Sequence, residues 1–196
     1  TVVDGDQLIA IAALDMKRRG VLKNDTAVVT VMSNMGFWKF AQDNGIQVVK
    51  TSVGDRYVLE EMLRNGHNIG GEQSGHIIFL DYATTGDGQL SGLQTLATMR
   101  REGKTLKRLA QAMTVYPQVL VNIRVTPQGK AALDSDQQVQ EVIRKVEQEL
   151  GADGRVLVRV SGTEPLIRVM LEGKEQEQIA SLAQEIAGVI QERLGE

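Results

Sequence analysis

The sequence predicts an α/β protein: a three-layer α/β domain with a mostly parallel sheet, followed by a smaller α+β domain with an antiparallel sheet. Two patterns carry that expectation. Over residues 1–115, short β-branched runs alternate with amphipathic helical stretches, and the runs read as continuously apolar instead of alternating. Strands buried on both faces read this way. From Val119 onward apolar and polar residues alternate instead, the mark of strands with one covered face. The chain's 196 residues, 42% hydrophobic and 24% charged, supply enough apolar material for buried cores.

Residues 4–19 read as a helix, with Asp4 or Asp6 as cap, Leu8, Ile9, Ala12 and Ala13 as the apolar face, and Gly20 as the stop. "TAVVTVM" (26–32) is a buried strand, "GFWKFAQDNG" a short helix ending at Gly45, and "IQVVKT" a second strand. Phe37, Trp38 and Phe40 are expected in the core. "YVLEEMLRNG" places Val58, Leu59, Met62 and Leu63 on one helical face before the stop at Gly66, and His67 follows as a solvated cap. "HIIFL" is a third strand. "DGQLSGLQTLATMRREG" is a helix capped by Asp87, with Leu90, Leu93, Ala97 and Arg100 stepping at three or four, and "TLKRLAQAM" comes after it.

The pattern changes at "VYPQVL", where Pro117 makes a hinge and divides the chain into 1–115 and 116–196. Val119, Val121, Ile123 and Val125 form one face of a strand, with Leu120, Asn122 and Arg124 on the other. "SDQQVQEVIRKVEQEL" is a helix opened by Ser135, with Gln138 at capping-box spacing. "RVLVRV" and "LIRVML" are strands flanking "SGTEP", and a closing helix over 175–194 is amphipathic through Ile179, Leu182, Ile186, Ile190 and Leu194.

Composition narrows the function. A net charge of −3 gives no electrostatic case for nucleic acid or an anionic membrane. The absence of cysteine excludes disulfides, a thiolate nucleophile and a zinc–thiolate site. No apolar run approaches the roughly 20 residues of a membrane helix, and no signal peptide is seen, so a cytoplasmic protein is expected. The chain starts at Thr1 and enters a helix pattern almost at once, as a piece of something longer would.

Two stretches concentrate chemistry. In "RVSGTEPLIRV", Arg159 and Arg168 bracket a loop whose Ser161, Gly162 and Thr163 offer two hydroxyls and backbone N–H groups. Such a loop can cup an oxyanion, because arginine binds phosphate in a two-pronged way and glycine lets amides approach. The same residues also suit a surface turn with two solvated strand arginines, and Glu164 would repel phosphate unless it faced away. In "GGEQSGH", Glu72 can accept from two adjacent sugar hydroxyls, with Ser74 and His76 completing a polar lip. A polar, glycine-rich helix-to-strand connection would read identically. Asp55 and Arg56 follow Gly54 at a strand end, the usual place for ligand contact in an open α/β sheet. "DGD" at 4–6 is read as a helix cap and dipole partner, not a metal loop. "TTGDGQLSG" lacks the ending of a phosphate P-loop, and no dinucleotide fingerprint is present.

Taken together, "TSVGDRYV", "GGEQSGHIIF" and "RVSGTEPLIRVM" closely resemble the C-terminal half of bacterial phosphoglucosamine mutases, within the phosphohexomutase superfamily. The form "GEQSGH" points to the glucosamine branch, since phosphomannomutase/phosphoglucomutase enzymes typically carry methionine where Gln73 stands. The resemblance implies four domains, of which residues 1–115 match the third and the rest the smaller fourth. It implies that Glu72, Ser74 and His76 hold sugar hydroxyls, and that Arg159, Ser161, Gly162, Thr163 and Arg168 grip the phosphate that is not reacting; Asp55 and Arg56 are further cleft contacts. The implied reaction interconverts glucosamine 6-phosphate and glucosamine 1-phosphate through a hexosamine 1,6-bisphosphate, toward UDP-N-acetylglucosamine and cell-wall precursors. Its phosphoserine and Mg²⁺ loops match nothing in this sequence, so the chain alone is expected to bind no metal and to lack turnover. The alternatives are the phosphomannomutase/phosphoglucomutase branch and a stand-alone sugar-phosphate-binding module.

Overall fold

The computed structural model describes residues 2–196 and divides at Val115/Tyr116 into two compact units. The first runs α1 (Gly5–Arg18), β1 (Thr26–Thr30), α2 (Met35–Asp43), β2 (Gln47–Thr51), α3 (Asp55–Asn65), β3 (Ile69–Gly71), β4 (Ile77–Phe79), α4 (Gly88–Glu102) and the short α5 (Leu106–Leu109). Its sheet has the order β2-β1-β3-β4; the first three strands are parallel and β4 is antiparallel. Local chemistry sets the boundaries. Asp4 accepts from the N–H of Gln7, whose amide oxygen accepts from Asp4 N–H, a reciprocal cap. Gly66 ends α3 in the left-handed region at φ 72°, which costs glycine nothing.

Helices cover both faces of the sheet. Ile9, Ala13 and Met16 of α1 and Phe37, Phe40 and Ala41 of α2 bury with Ala27, Val29, Ile69, Ile77 and Phe79. On the opposite face, Val58 and Met62 of α3 meet Val28 and Ile78. Phe37 and Phe40 are core as expected, while Trp38 is only partly buried, with the Lys50 ammonium 4.3 Å above its ring.

Several expectations need correction. Leu93 and Leu63 are not on buried faces; both lie more than half exposed. Helix α4 buries Ser91 and Thr98 instead, and Ser91, Thr95 and Thr98 return their hydroxyl protons to carbonyls four residues back. Small, internally satisfied side chains let α4 lie close to α1, a packing that hydrophobic periodicity does not register. His67 is buried, with Nδ1 3.5 Å from the Asn24 amide nitrogen, and is not a solvated cap. Strand β3, three residues of which two are glycine, was too short and too plain to be read, so "GGEQSGH" joins two strands, not a helix and a strand.

The second unit runs β5 (Gln118–Arg124), α6 (Pro127–Ala132), α7 (Gln137–Leu150), β6 (Gly154–Val160), β7 (Leu166–Gly173) and α8 (Gln176–Leu194). Its sheet, ordered β5-β7-β6, is antiparallel throughout. One sheet face, including Ile123, Ile167, Val169 and Leu171, buries against Ile179, Leu182, Ile186 and Ile190 of α8 and against Val139 and Val146 of α7. The helix α6, opened by Thr126 with Pro127 in its first turn, was not anticipated. Helix α7 is capped by Asp136, which accepts from Gln138 N and Val139 N, and not by Ser135, whose hydroxyl donates to Ala132 O. A carboxylate one residue later serves the helix dipole as well as the orphan N–H groups.

Asp15 links α1 to α4. It is almost fully buried, and receives two hydrogen bonds from Arg101 (3.0 and 2.7 Å) and one from Arg19 (2.9 Å). Burial pushes its pKa up, but the Arg101 and Arg19 hydrogen bonds outweigh that and hold it below the ordinary value of 3.8. A folded-state pKa below the unfolded one contributes stability above the unfolded value and loses it as pH falls through the folded value. Asp15→Asn is therefore expected to destabilise the chain by about 1–2 kcal/mol at neutral pH. Urea midpoints should show the gap between wild type and variant closing below the ordinary aspartate value of 3.8.

Candidate functional site

The candidate residues fall into two groups, one in each unit. In the first unit β1, β2 and β3 run parallel, so the segments after Thr30, Thr51 and Gly71 all leave the same carboxyl edge of the sheet. The last of these is the hairpin loop 72–76, closed by Glu72 N–H donating to His76 O and Gly75 N–H donating to Glu72 O, both at 3.0 Å. Gly75 adopts φ 100°, which the tight return requires.

Neighbouring loops fix the side chains of this hairpin. Gly54 N–H donates to Glu72 Oε1 at 3.0 Å, which orients the carboxylate and leaves its second oxygen available. His76 Nε2 lies 3.3 Å from Asp55 Oδ2 and accepts from Gly86 N–H at 3.2 Å. Ser74 is exposed at the loop tip. Asp55 thus joins Glu72 and His76 in one cluster. Arg56 does not; its guanidinium turns along α3 to Glu60 at 2.7 Å, and that pairing raises its pKa. Helix α3 begins at Asp55 itself, so both residues lie in its first turn and their side chains diverge.

The loop also rests on α1, which sequence reasoning treated only as a capped helix. Gly5 N–H donates to Gln73 O at 3.0 Å, and a Cβ on Gly5 would stand 2.2 Å from Glu72 O and 2.7 Å from Gly75 N. Asp6, fully buried, accepts from Asn34 N–H at 2.7 Å, tying the segment after β1 to the same turn. A glycine between two acidic residues was the available signal, but a cap explains that pattern equally well.

In the second unit, Arg159 and Arg168 are direct cross-strand partners on β6 and β7, and Asn122 of β5 lies opposite Arg168 on its other side. Direct partners share a sheet face, so two guanidiniums and an amide form a row across the sheet, on the face opposite α8. Arg168 donates to Glu164 Oε2 at 2.5 Å, but its Nε is buried with no hydrogen-bond partner. Among the described residues Arg159 has no carboxylate partner. Its pKa is lowered first by burial and second by the positive charge of Arg168; it stays a cation at neutral pH, and an expensive one.

The loop between these strands is braced from α6. Lys130 Nζ donates to Ser161 O (2.5 Å) and Glu164 O (3.0 Å), while the buried Ser161 accepts from Glu164 N–H through its hydroxyl. Gly162 and Thr163 project at the tip, where no carbonyl of the described residues takes their N–H groups. Lys130 was missed by sequence reasoning because 31 residues separate it from Ser161 and its own surroundings are ordinary. Glu164 does not face away from the arginines, as phosphate binding would have it; an incoming anion must share Arg168 with it. Among the described residues no group of three or more His, Cys, Asp or Glu is placed to hold a metal ion.

The chain belongs to the phosphoglucomutase/phosphomannomutase family: the family's alpha/beta/alpha domain III matches residues 4–116 and its C-terminal domain residues 120–189. Among characterised relatives it is most usefully compared with phosphoglucosamine mutases. It is 54% identical over 193 residues to that of Alkaliphilus oremlandii, a match covering 98% of this chain and 43% of the relative. With that of Syntrophotalea carbinolica the identity is 55% over 193 residues, covering 98% and 42%. The chain therefore spans less than half the length of these relatives. In fold it superposes on N-acetylphosphoglucosamine mutase of Aspergillus fumigatus with a TM-score of 0.84 at 20% identity, covering 100% of this chain and 44% of that one. A second structure of the Aspergillus protein, with GlcNAc-6P and magnesium, gives a TM-score of 0.82 at 20% identity, with coverage of 98% and 44%.

Two substitutions test the architecture of these loops. Gly5→Ala should raise helix propensity, yet it is expected to destabilise the first unit by about 1–3 kcal/mol, because the clash is with backbone. Faster amide exchange at Glu72–Gly75 would be its local signature. Lys130→Met is expected to speed exchange across 161–166 and cost about 1 kcal/mol, leaving exchange in the first unit unaltered.

Proposed function

We propose that this chain is the sugar-phosphate-binding portion of a phosphoglucosamine mutase, an isomerase interconverting glucosamine 6-phosphate and glucosamine 1-phosphate through a 1,6-bisphosphate. The observation that carries this reading is the Arg159–Arg168 pair. Two half-buried arginines are direct cross-strand partners, the one nearby carboxylate, Glu164, pairs with Arg168 alone, one Nε has no hydrogen-bond partner, and N–H groups without a carbonyl partner stand at the adjacent loop tip. Like charges held together in partial burial are relieved by an anion that accepts from several donors at once. A phosphate dianion fits that description better than a carboxylate or a hydroxyl.

The first unit supplies the complementary half of the reading. Glu72 offers an oriented carboxylate oxygen to adjacent sugar hydroxyls, Ser74 a hydroxyl, and His76 a ring held between Asp55 and Gly86. A sugar bisphosphate carries both phosphate and hydroxyl groups, the two chemistries that the arginine pair and the Glu72–His76 lip separately suit. A cytoplasmic location fits such a metabolic substrate. The identity to phosphoglucosamine mutases, together with Gln73, supports the amino sugar over mannose or glucose phosphates.

Magnesium, reported with the Aspergillus protein, has no fitting set of ligands among the described residues. In the proposed mutase, metal and phosphoserine belong to parts outside these 196 residues, and the pure chain is expected to show no turnover.

Calorimetric titration with glucosamine 6-phosphate, beside glucose 6-phosphate, mannose 6-phosphate and inorganic phosphate, tests the proposal. Weak, salt-sensitive binding with the amino sugar preferred is expected. Arg159→Ala should weaken it at least ~10-fold, as loss of charge-assisted hydrogen bonds implies. The same variant should leave the unliganded chain as stable as wild type or more so, since a poorly compensated charge is removed. A chain destabilised by Arg159→Ala and indifferent to all four ligands would make the pair structural and end the proposal.

A further inference from the structure

Helix α1 carries its 14 residues over about 21 Å, between two different surroundings. Gly5, in its first turn, lies beneath the hairpin loop 72–76. Its other end forms one wall of an open cavity of about 370 Å³, completed by the last turns of α4 and by α5. Cavities of that size hold small molecules. The floor is apolar, with Ile11 and Leu109 buried in it and Leu14 beside them. The rim is cationic in excess. Arg18 and Lys104 both donate to Glu102, at 2.9 and 2.8 Å, so two positive charges meet one carboxylate. Lys104 first, and Arg18 second, hold Glu102 below its ordinary value of 4.5. Arg108 donates to the neutral amide of Gln111 at 2.8 Å, and among the described residues it has no carboxylate partner. Asp15, also on the wall, does not offset the surplus, because Arg101 and Arg19 already pair with it. Three cations thus face one available carboxylate, on a chain whose net charge is −3. Helix dipoles account for only part of this. Arg18 suits the last turn of α1, but Lys104 lies past the Gly103 stop of α4, and α5 is a single turn with little dipole to serve.

We propose that this cavity between α1, α4 and α5 binds a small phosphorylated molecule, a diphosphate carried on an apolar body, at a site separate from the sugar lip and from the arginine pair. Each half of that description answers a feature of the cavity. The Arg108 guanidinium offers a planar fork that phosphate oxygens accept from in pairs. A second phosphoryl group meets the surplus charge that Arg18 and Lys104 leave at Glu102. A single phosphate would answer only one of these two places. The apolar floor has nothing to offer an inorganic anion, but it suits a ring or base laid over Leu14 and Leu109.

Titration of the 196-residue chain with ADP, pyrophosphate and adenosine, followed by calorimetry and by amide shifts in ¹H–¹⁵N spectra, tests the assignment. ADP is expected to bind at least ~10-fold more tightly than pyrophosphate, and adenosine not measurably. The shifts should move along residues 11–18 and 104–112. Arg108→Gln should weaken ADP at least ~10-fold, as loss of charge-assisted hydrogen bonds implies. Lys107→Gln removes the same charge one residue away and outside the cavity wall, and should change ADP affinity by no more than about twofold. Both side chains are exposed, so neither variant disturbs a core. Arg108→Gln should also leave the response to glucosamine 6-phosphate as it is in wild type, which keeps this assignment distinct from the sugar-phosphate reading. Three results would each overturn it: ADP binding no tighter than pyrophosphate, equal losses from Lys107→Gln and Arg108→Gln, or ADP shifts confined to residues 159–168. No binding of ADP at all does the same.

Discussion

The first unit depends on how closely the opening turn of α1 approaches the carboxyl edge of the sheet. Gly5 lies beneath the backbone of Glu72, Gln73 and Gly75, and Asp6 reaches the backbone of Asn34. One turn of helix therefore sets the height of two loops that leave different strands. From there the constraints pass outward by backbone donors: Gly54 to Glu72, and Gly86 to His76. Loops fixed by backbone hydrogen bonds have little conformational freedom left to lose.

The second unit solves the opposite problem. Its sheet must hold two arginines side by side, and the cost is carried by a well-buried opposite face, where the aliphatic side chains of α8 and β7 pack. The loop between β6 and β7 is held by its own hydrogen bonds, Glu164 N–H to the Ser161 hydroxyl and Ser161 N–H to Leu166 O, and from outside by Lys130, whose ammonium donates to two of its carbonyls.

Much of this was legible in sequence because the signals were strong and local. Continuous apolar runs in one half and alternating ones in the other separated a mixed parallel sheet from an antiparallel one, and Asp4, Asp87 and Gly66 marked helix ends through their ordinary cap chemistry. The failures were of two physical kinds. Helix α4 buries serine and threonine because close approach to α1 matters there more than apolar area, so hydrophobic stepping chose the wrong face. Gly5, Gly86 and Lys130 act on partners distant in sequence, through van der Waals fit or a single long reach, and nothing in their own neighbourhoods records it. Of the site residues, Asp55, Glu72 and His76 cluster, and Arg159 and Arg168 pair, while Arg56 turns away.

Strand β6 is an edge strand of its sheet, and Arg159 sits near one end of it; Arg155, four residues earlier on the same face, is paired with buried Glu172 at 2.7 Å. An open strand edge invites pairing with other chains, and a positive charge without a carboxylate partner, as on Arg159, discourages that by repulsion between copies. The remaining residues of the segment, Val156, Leu157, Val158 and Val160, are the kind that aggregate when such charges are lost. Arg159 would then guard this edge whatever else its guanidinium meets. A neutral residue there would leave the apolar run of β6 without that protection.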